Sequence, residues 1–398
     1  MKTLVLFALG ILLGLLAFLP TSASNNSGLY EFGDWGGQLG SPYSGGNNPL
    51  IDWKDLETAD GVYNWTPMDN ALNMANAAGK QAVPRVYTNI LGEHQATPQW
   101  FFDAGGAFYY PAGNGVKSPV PWDNLYKQEF GQFLTALGAR YNGNTKIRFF
   151  QTNAGGGAFA ESWLGENQPA GYTSQLHIDT QKFWIDKWRA ALPITNLAIM
   201  VNELGDPIVQ DVSAYANSKR FYLQTNQPYI AQQLIDTFNL HDATTKIVME
   251  IENAGCQQSK LSTGFQSMID TVLGYAFDID YLMLCWESFA DGPTAATLPN
   301  VQAQLRPTCM DCDGDLSTDA KELYLGTNPN DNCGLNAWPP DIDNNNAITN
   351  LDMLPALNNW GLPVTDANRR ADLAGDGVVI NNLDLLPILN QWLVTCTP

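Results

Sequence analysis

Eight short apolar runs recur along roughly the first 300 residues, and stretches with helical spacing lie between them. The runs are "GLYEFG" at 28–33, "PLIDW" at 49–53, "QAVPRVY" at 81–87, "KIRFFQT" at 146–152, "LAIMVNE" at 197–203, "RFYLQT" at 220–225, "KIVMEIE" at 246–252 and "DYLMLCW" at 280–286. Most are bounded by Gly, Asn, Asp or Pro, as buried strands are. Between them Met68, Ala71, Leu72 and Ala75 fall at helical spacing, as do Phe130, Phe133, Leu134 and Leu137. Asp123 stands where an N-cap would open the second of these helices. Eight strands alternating with helices over about 280 residues predict an α/β fold, a (β/α)₈ TIM barrel. A doubly wound open sheet is the alternative, but no glycine-rich phosphate fingerprint follows the first run.

Both ends of the chain read differently. Lys2, the apolar "LVLFALGILLGLLAFLP" and the small residues of "TSAS" form a signal-peptide pattern over 1–24. A membrane anchor is the alternative, but the apolar run is short and ends in Pro20. The mature chain is therefore expected to be exported, soluble and free of the membrane. From Cys309 to Pro398 there are 13 acidic and 3 basic residues, a net of −10 against −20 for the whole chain. That balance argues against nucleic acid and anionic membranes and points to cation binding. Cys309, Cys312, Cys333 and Cys396 lie in this acidic tail, where export permits disulfides; Cys256 and Cys285 lie before it.

In a barrel, catalytic groups stand at the C-terminal ends of the strands. The fourth run leads through "FFQTNAGGGAFAESW" to Glu161, the fifth ends at Asn202 and Glu203, the seventh carries Glu250 and Glu252, and the eighth ends at Trp286 and Glu287. Three scattered histidines (His94, His177, His241) contain no H-x-x-x-H pair, so a catalytic zinc is not expected; a G-x-S-x-G elbow is also absent. Paired carboxylates remain, as glycoside hydrolysis requires: one protonates the leaving oxygen, and the other attacks the anomeric carbon or activates water. No cofactor is expected for that chemistry. Trp35, Trp53, Trp100, Trp163 and Trp286 lie at or beyond strand ends, where indoles could stack on sugar rings or simply fill the space above the core.

The segment "IDWKDLETADGVYNWTPMDNALNMANAAGKQAVPRVY" (51–87) resembles the entry segment of clan A glycoside hydrolases, especially family-42-type beta-galactosidases. Trp53, Leu56, Glu57, Gly61, Tyr63 and Trp65 match its W-x-x-L-E-P-x-x-G-x-Y-x-W pattern, in which Glu57 would tie the loop down. "IVMEIENAG" is similar to the family's seventh strand, which implies Glu250 as the nucleophile, and "DIDYLMLCWESFADG" to its eighth, with Trp286 at the sugar floor. The family's fourth strand ends Asn-Glu; here Asn153, a substrate-binding position by this resemblance, is followed by Ala154. On this reading Glu161 supplies the missing acid/base from the glycine-rich loop; the alternative is a barrel that binds sugar without cleaving it. Glu203 would take the role if the strand count were one too high. Glu252 shares the parity of Glu250 and lies nearer the mouth.

"DCDGDLSTDAKE" (311–322) puts Asp311, Asp313, Asp315, Ser317, Asp319 and Glu322 at EF-hand-like loop positions 1, 3, 5, 7, 9 and 12, although its glycine falls at position 4. This linker, 308–338, resembles a thrombospondin-type-3 calcium repeat. A duplication of period 32 follows: "ITNLDMLPALNNW" (348–360) matches "INNLDLLPILNQW" (380–392). Each copy follows an acidic loop, so 339–398 resembles a type I dockerin, a small helical calcium-binding module, behind a barrel at 25–307. Asp341, Asp343, Asn345, Thr349 and Asp352 would bind Ca²⁺ in the first loop. Asp372, Asp376 and Asp384 would do so in the second, which is one residue too long and has Ala374 at a ligand position. The resemblance implies a cohesin-type or cell-surface partner. A calcium-stabilised clasp without a partner is the alternative, and it would bury the Leu and Trp rows of the two helices.

Overall fold

The computed structural model describes residues 28–32, 39–89, 94–153, 163–165, 167–201, 208–226, 230–251, 267–285, 287–290, 292–306, 315, 317–329 and 331–396. Trp35, Glu161, Glu203, Glu252, Trp286, Asp311 and Asp313 lie outside these residues, as does the proposed signal segment. Among the described residues, no helix is long and apolar enough to cross a membrane.

All eight apolar runs form strands: β1 (Leu29–Phe32), β2 (Leu50–Asp52), β3 (Arg85–Tyr87), β4 (Phe150–Thr152), β5 (Leu197–Met200), β6 (Phe221–Thr225), β7 (Ile247–Ile251) and β8 (Tyr281–Cys285). They make one parallel sheet in the order β1-β8-β7-β6-β5-β4-β3-β2. A bridge between Glu31 and Asn47 joins β1 to the segment entering β2, so the sheet closes on itself. Within that segment Gly46 has no room for a side chain: at its φ of 155° a Cβ would run into the carbonyl oxygen of Gln81, just before β3. The open-sheet alternative is thereby set aside, and β5 is confirmed as the fifth strand.

Helices α1 (Thr66–Ala77), α2 (Asn124–Tyr141), α3 (Ser174–Ala191), α4 (Ile208–Ser218) and α5 (Gln232–His241) cover the outside of the sheet. Met68, Ala71, Leu72 and Ala75 are buried on α1, and Phe130, Phe133, Leu134 and Leu137 on α2, whose first turn is capped by Asp123 accepting from the Tyr126 N–H at 3.0 Å. Alternate residues of each strand divide between this outer core and the barrel lumen. Ile247, Met249 and Ile251 of β7 face outward, while Val248 joins a lumen cluster with Tyr30, Phe149, Tyr222 and Tyr281.

The loop after β2 is held as the sequence implied. Glu57 accepts from Trp53 Nε1 at 2.7 Å and from the Gly61 N–H at 2.9 Å. Burial pushes the Glu57 carboxyl up to about 7, against the opposing pull of those two donors. A carboxyl raised in the folded state favours the protonated fold, so its contribution is present below the ordinary glutamate range and is lost as pH rises through 7. Thermal melts between about pH 5 and pH 8 should therefore fall for the wild type and less steeply for Glu57→Gln, which does not titrate, although its single carbonyl oxygen keeps an acceptor for only one of the two donors. Equal slopes in the two proteins would dismiss this account.

The tail contributes α6 (Asp319–Leu325), α7 (Asn350–Asn358) and α8 (Asn382–Asn390) around a small core of Tyr324, Leu325, Trp338, Ile348, Leu373 and Ile388. A Cys333–Cys396 disulfide closes it. Cys285 is also disulfide-bonded, to a partner outside the described residues. The tail sits on the N-terminal end of the barrel. Asn142 Nδ2 donates to the Gly375 carbonyl at 3.0 Å, and Ile194, just before β5, packs against the tail core. The guanidinium groups of Arg220, which precedes β6, and Arg369 lie 5.8 and 5.4 Å from the centroid of the Tyr324 ring.

Candidate functional site

The lumen changes character toward the C-terminal ends of the strands. Above the aromatic cluster lies a polar layer made by one residue from each of four strands: Arg85 on β3, Gln151 on β4, Gln224 on β6 and Glu250 on β7. Each shares the inward parity of its strand, so a single polar residue in an apolar run lands in the lumen.

Glu250 is fully buried. Its Oε2 accepts from Gln224 Nε2 at 2.8 Å and Gln151 Nε2 at 3.0 Å, and forms an ion pair with Arg85 Nη2. Gln151 Oε1 in turn accepts from Arg85 Nε at 2.9 Å and Asn48 Nδ2 at 2.8 Å. Glu250 Oε1 has no hydrogen-bond partner among the described residues. One carboxylate oxygen is thus saturated by three donors while the other keeps its lone pairs.

Above this layer, at the end of β2, Asp52 Oδ2 lies 2.7 Å from His94 Nε2 and 2.8 Å from Lys54 Nζ. Neither Asp52 nor the Arg85–Gln151–Gln224 cage carries a motif, and sequence reasoning passed over them.

Two of the tryptophans expected at the sugar are elsewhere. Trp53 is fully buried in the outer core, 5.0 Å from Phe130 by ring centroids, with its N–H spent on Glu57. Trp100 packs edge-on against Trp53 and donates to the Glu57 carbonyl at 3.2 Å. The cause is parity: Ile51 and Trp53 share the outward face, and the chain turns into a helix directly after Asp52. Asn153 is also buried, donating to Thr88 Oγ1 at 3.0 Å while its carbonyl accepts from Trp188 Nε1 at 2.8 Å, so it shapes the strand end and presents no amide to a ligand. Trp163 is half-buried.

In the tail, Asp341, Asp343 and Asp352 each bring one oxygen within 4.8 Å of the others. Asp341 also accepts from the Asn345 and Asn346 N–H groups. Asp352 and Thr349 form a capping box on α7, matched by Asp384 and Asn381 on α8. In the second loop Asp372 accepts from the Gly375, Asp376 and Gly377 N–H groups and from the Tyr324 hydroxyl. Burial, reinforced by the neighbouring Asp372, pushes Asp384 up to about 6. None of these six aspartates takes part in an ion pair among the described residues. An all-oxygen donor set, with Asp341, Asp352, Asp372 and Asp384 buried and Asp343 exposed, fits a hard divalent cation. In the linker loop, Asp315 and Ser317 are buried, Asp319 opens α6 and Glu322 is fully buried within it.

The Leu and Trp rows do not turn inward. Leu351, Leu354, Leu357 and Trp360 are exposed, as are their repeats Leu383, Leu386, Leu389 and Trp392. Ala356 and Ile388 fill the core instead, so the burial that a self-sufficient clasp would require is not made.

No family model matches the chain, and no curated protein matches it. Among solved structures it resembles the catalytic domain of beta-amylase from Paenibacillus polymyxa, with a TM-score of 0.53 at 10% identity, covering 71% of this chain and 99% of that one. Xylanase 10B from Thermotoga maritima aligns with a TM-score of 0.44 at 8% identity over 66% of this chain and 84% of that one. The beta-galactosidase from the psychrophilic Marinomonas ef1 gives 0.36 at 11% identity over 58% of this chain and 46% of that one, about half its length. At these identities the beta-amylase likeness is one of fold, and the two lower scores carry no weight beyond it.

Proposed function

We propose that the chain is a secreted retaining glycoside hydrolase acting on an oligo- or polysaccharide, with beta-galactosides the class its sequence resemblance suggests. The observation that carries this reading is the Glu250 carboxylate in the barrel lumen, with Oε2 held by three donors and Oε1 unpartnered. In this reading Glu250 Oε1 attacks the anomeric carbon while Glu161 protonates the departing oxygen. Water, deprotonated by Glu161, then cleaves the glycosyl ester and restores both groups. Retention requires the two carboxyls to stand about 5–5.5 Å apart. Glu252 is the alternative for the nucleophile, and Trp35, Trp163 and Trp286 are candidate sugar contacts; Glu203, which follows the fifth strand, loses the condition on which it was considered for the acid/base.

The tail is proposed to bind calcium through Asp341, Asp343 and Asp352, through Asp372, Asp376 and Asp384, and through the linker loop. Its exposed Leu and Trp rows are proposed to dock a cohesin-type or cell-surface protein. Calcium's contribution is to neutralise facing carboxylates; the chain's own contribution is the set of N–H donors and helix caps that aim them.

The full burial of Glu250 favours a second reading, in which the Arg85–Glu250 pair is internal structure and the barrel binds sugar without cleaving it. Hydrolysis of a panel of aryl glycosides by the intact protein decides between them: release of the phenol from any member supports the enzyme, and none across a broad panel supports the binding protein. For the tail, calcium should give saturable heat by titration calorimetry, and a chelator should lower the tail's melting transition. A tail that melts identically with calcium and with chelator would refute the metal reading.

A further inference from the structure

We infer that Gln224 is a positioning residue that fixes which oxygen of Glu250 is left to react and steadies the carboxylate when it departs; this deepens the glycosidase reading and rests on it. Tyr222 and Gln224 face the lumen from β6. The three groups on Glu250 Oε2 differ in what else they do. Arg85 and Gln151 bond to each other, and Gln151 also takes Asn48, so both are parts of a wider frame. Gln224 has Glu250 as its one side-chain hydrogen-bond partner among the described residues, through Nε2 at 2.8 Å. Its own Oε1 is buried without a hydrogen-bond partner among the described residues. A reversed amide would set that oxygen against the carboxylate, so the orientation follows from the charge on Glu250, at the cost of a desolvated carbonyl.

The step that Gln224 serves follows from where charge moves. In the first step the free carboxylate loses charge as Oε1 bonds to the anomeric carbon, so a donor on Oε2 stabilises the starting state more than the transition state. In the second step the Oε1–carbon bond of the neutral ester breaks and its electron pair returns to the carboxylate. Water adds to the anomeric carbon and its proton goes to the acid/base. The donor on Oε2 now stabilises the transition state over the starting state. Gln224 therefore speeds release of the glycosyl group and does little for its capture.

The test uses the full chain and a 2,4-dinitrophenyl glycoside of the sugar that the panel identifies, so that ester hydrolysis limits turnover. Gln224→Leu should lower kcat about tenfold or more and lower KM in parallel, leaving kcat/KM within about threefold, with a burst of dinitrophenolate. The melting temperature should not fall, because the unpartnered carbonyl is removed with the amide. Gln224→Met, close to isosteric, should behave the same way and guards against a folding artefact in the leucine variant. Unchanged kcat, or equal losses in kcat and kcat/KM with a lower melting temperature, would overturn the inference while leaving Glu250 as nucleophile. Full activity of Glu250→Gln would overturn both.

Discussion

Glu250→Gln is expected to lower kcat/KM for aryl glycosides by at least about 10³-fold while leaving the barrel folded. The amide keeps the side-chain volume, and its carbonyl can accept from one or two of the donors that hold Oε2. What it loses is the nucleophile, because a neutral amide oxygen does not form a stable glycosyl ester. Glu250→Ala adds a sharper readout. It opens space beside the unpartnered oxygen's position, where a small anion such as azide could attack, so activity should return with azide and yield a glycosyl azide of inverted configuration. If Glu250→Gln hydrolyses the panel as fast as wild type, the buried carboxylate is not the nucleophile, and Glu252 becomes the next substitution.

Arg85→Met carries the largest expected loss of stability, about 3–5 kcal/mol, because it leaves a fully buried carboxylate without its cation. Gln151 and Gln224 would still donate to it, yet two neutral amides do not replace a guanidinium beside a buried carboxylate. The pair itself need not add stability over an apolar equivalent of the same volume. Arg85→Met combined with Glu250→Leu should therefore recover most of the loss, giving a coupling of several kcal/mol in a double-mutant cycle. Urea denaturation of the four proteins measures it. A single-mutant cost below about 1 kcal/mol would mean that water reaches the carboxylate once Arg85 is gone.

These two residues also show how far the sequence could be read. The strands were legible because apolar runs bounded by turn residues have few other uses: "KIVMEIE" and "RFYLQT" became β7 and β6. The repeat on α1 and α2 was legible for the same reason, as was Asp123 at its cap. The polar layer went unseen although its signal was present. Arg85, Gln151, Gln224 and Glu250 are polar residues at inward-parity positions of largely apolar runs, and on a closed sheet such residues meet one another in the lumen. Only Glu250 lies in a recognisable motif; Arg85, Gln151 and Gln224 do not, and the pattern exists only across four distant segments. Trp53 and Trp100 misled for the opposite reason. Proximity to a strand end suggested the mouth, while the parity of Trp53 with Ile51 already assigned it to the outer face. In the tail, the 32-residue repeat revealed the twin Leu and Trp rows but not which face of each helix turns inward. Ala356 and Ile388 decide that, by filling the space between the helices.

The seating of the tail has a directional consequence. Asn142, Ile194 and Arg220, which receive it, all lie at the end of the barrel where the strands begin, whereas Glu250 and Asp52 lie toward the end where they finish. The module that carries the exposed Leu and Trp rows is therefore seated at the end of the barrel remote from the lumen's polar layer. A chain tethered by its tail would point its open pole away from the tether, leaving the approach of a long polymer unobstructed by whatever holds the other end.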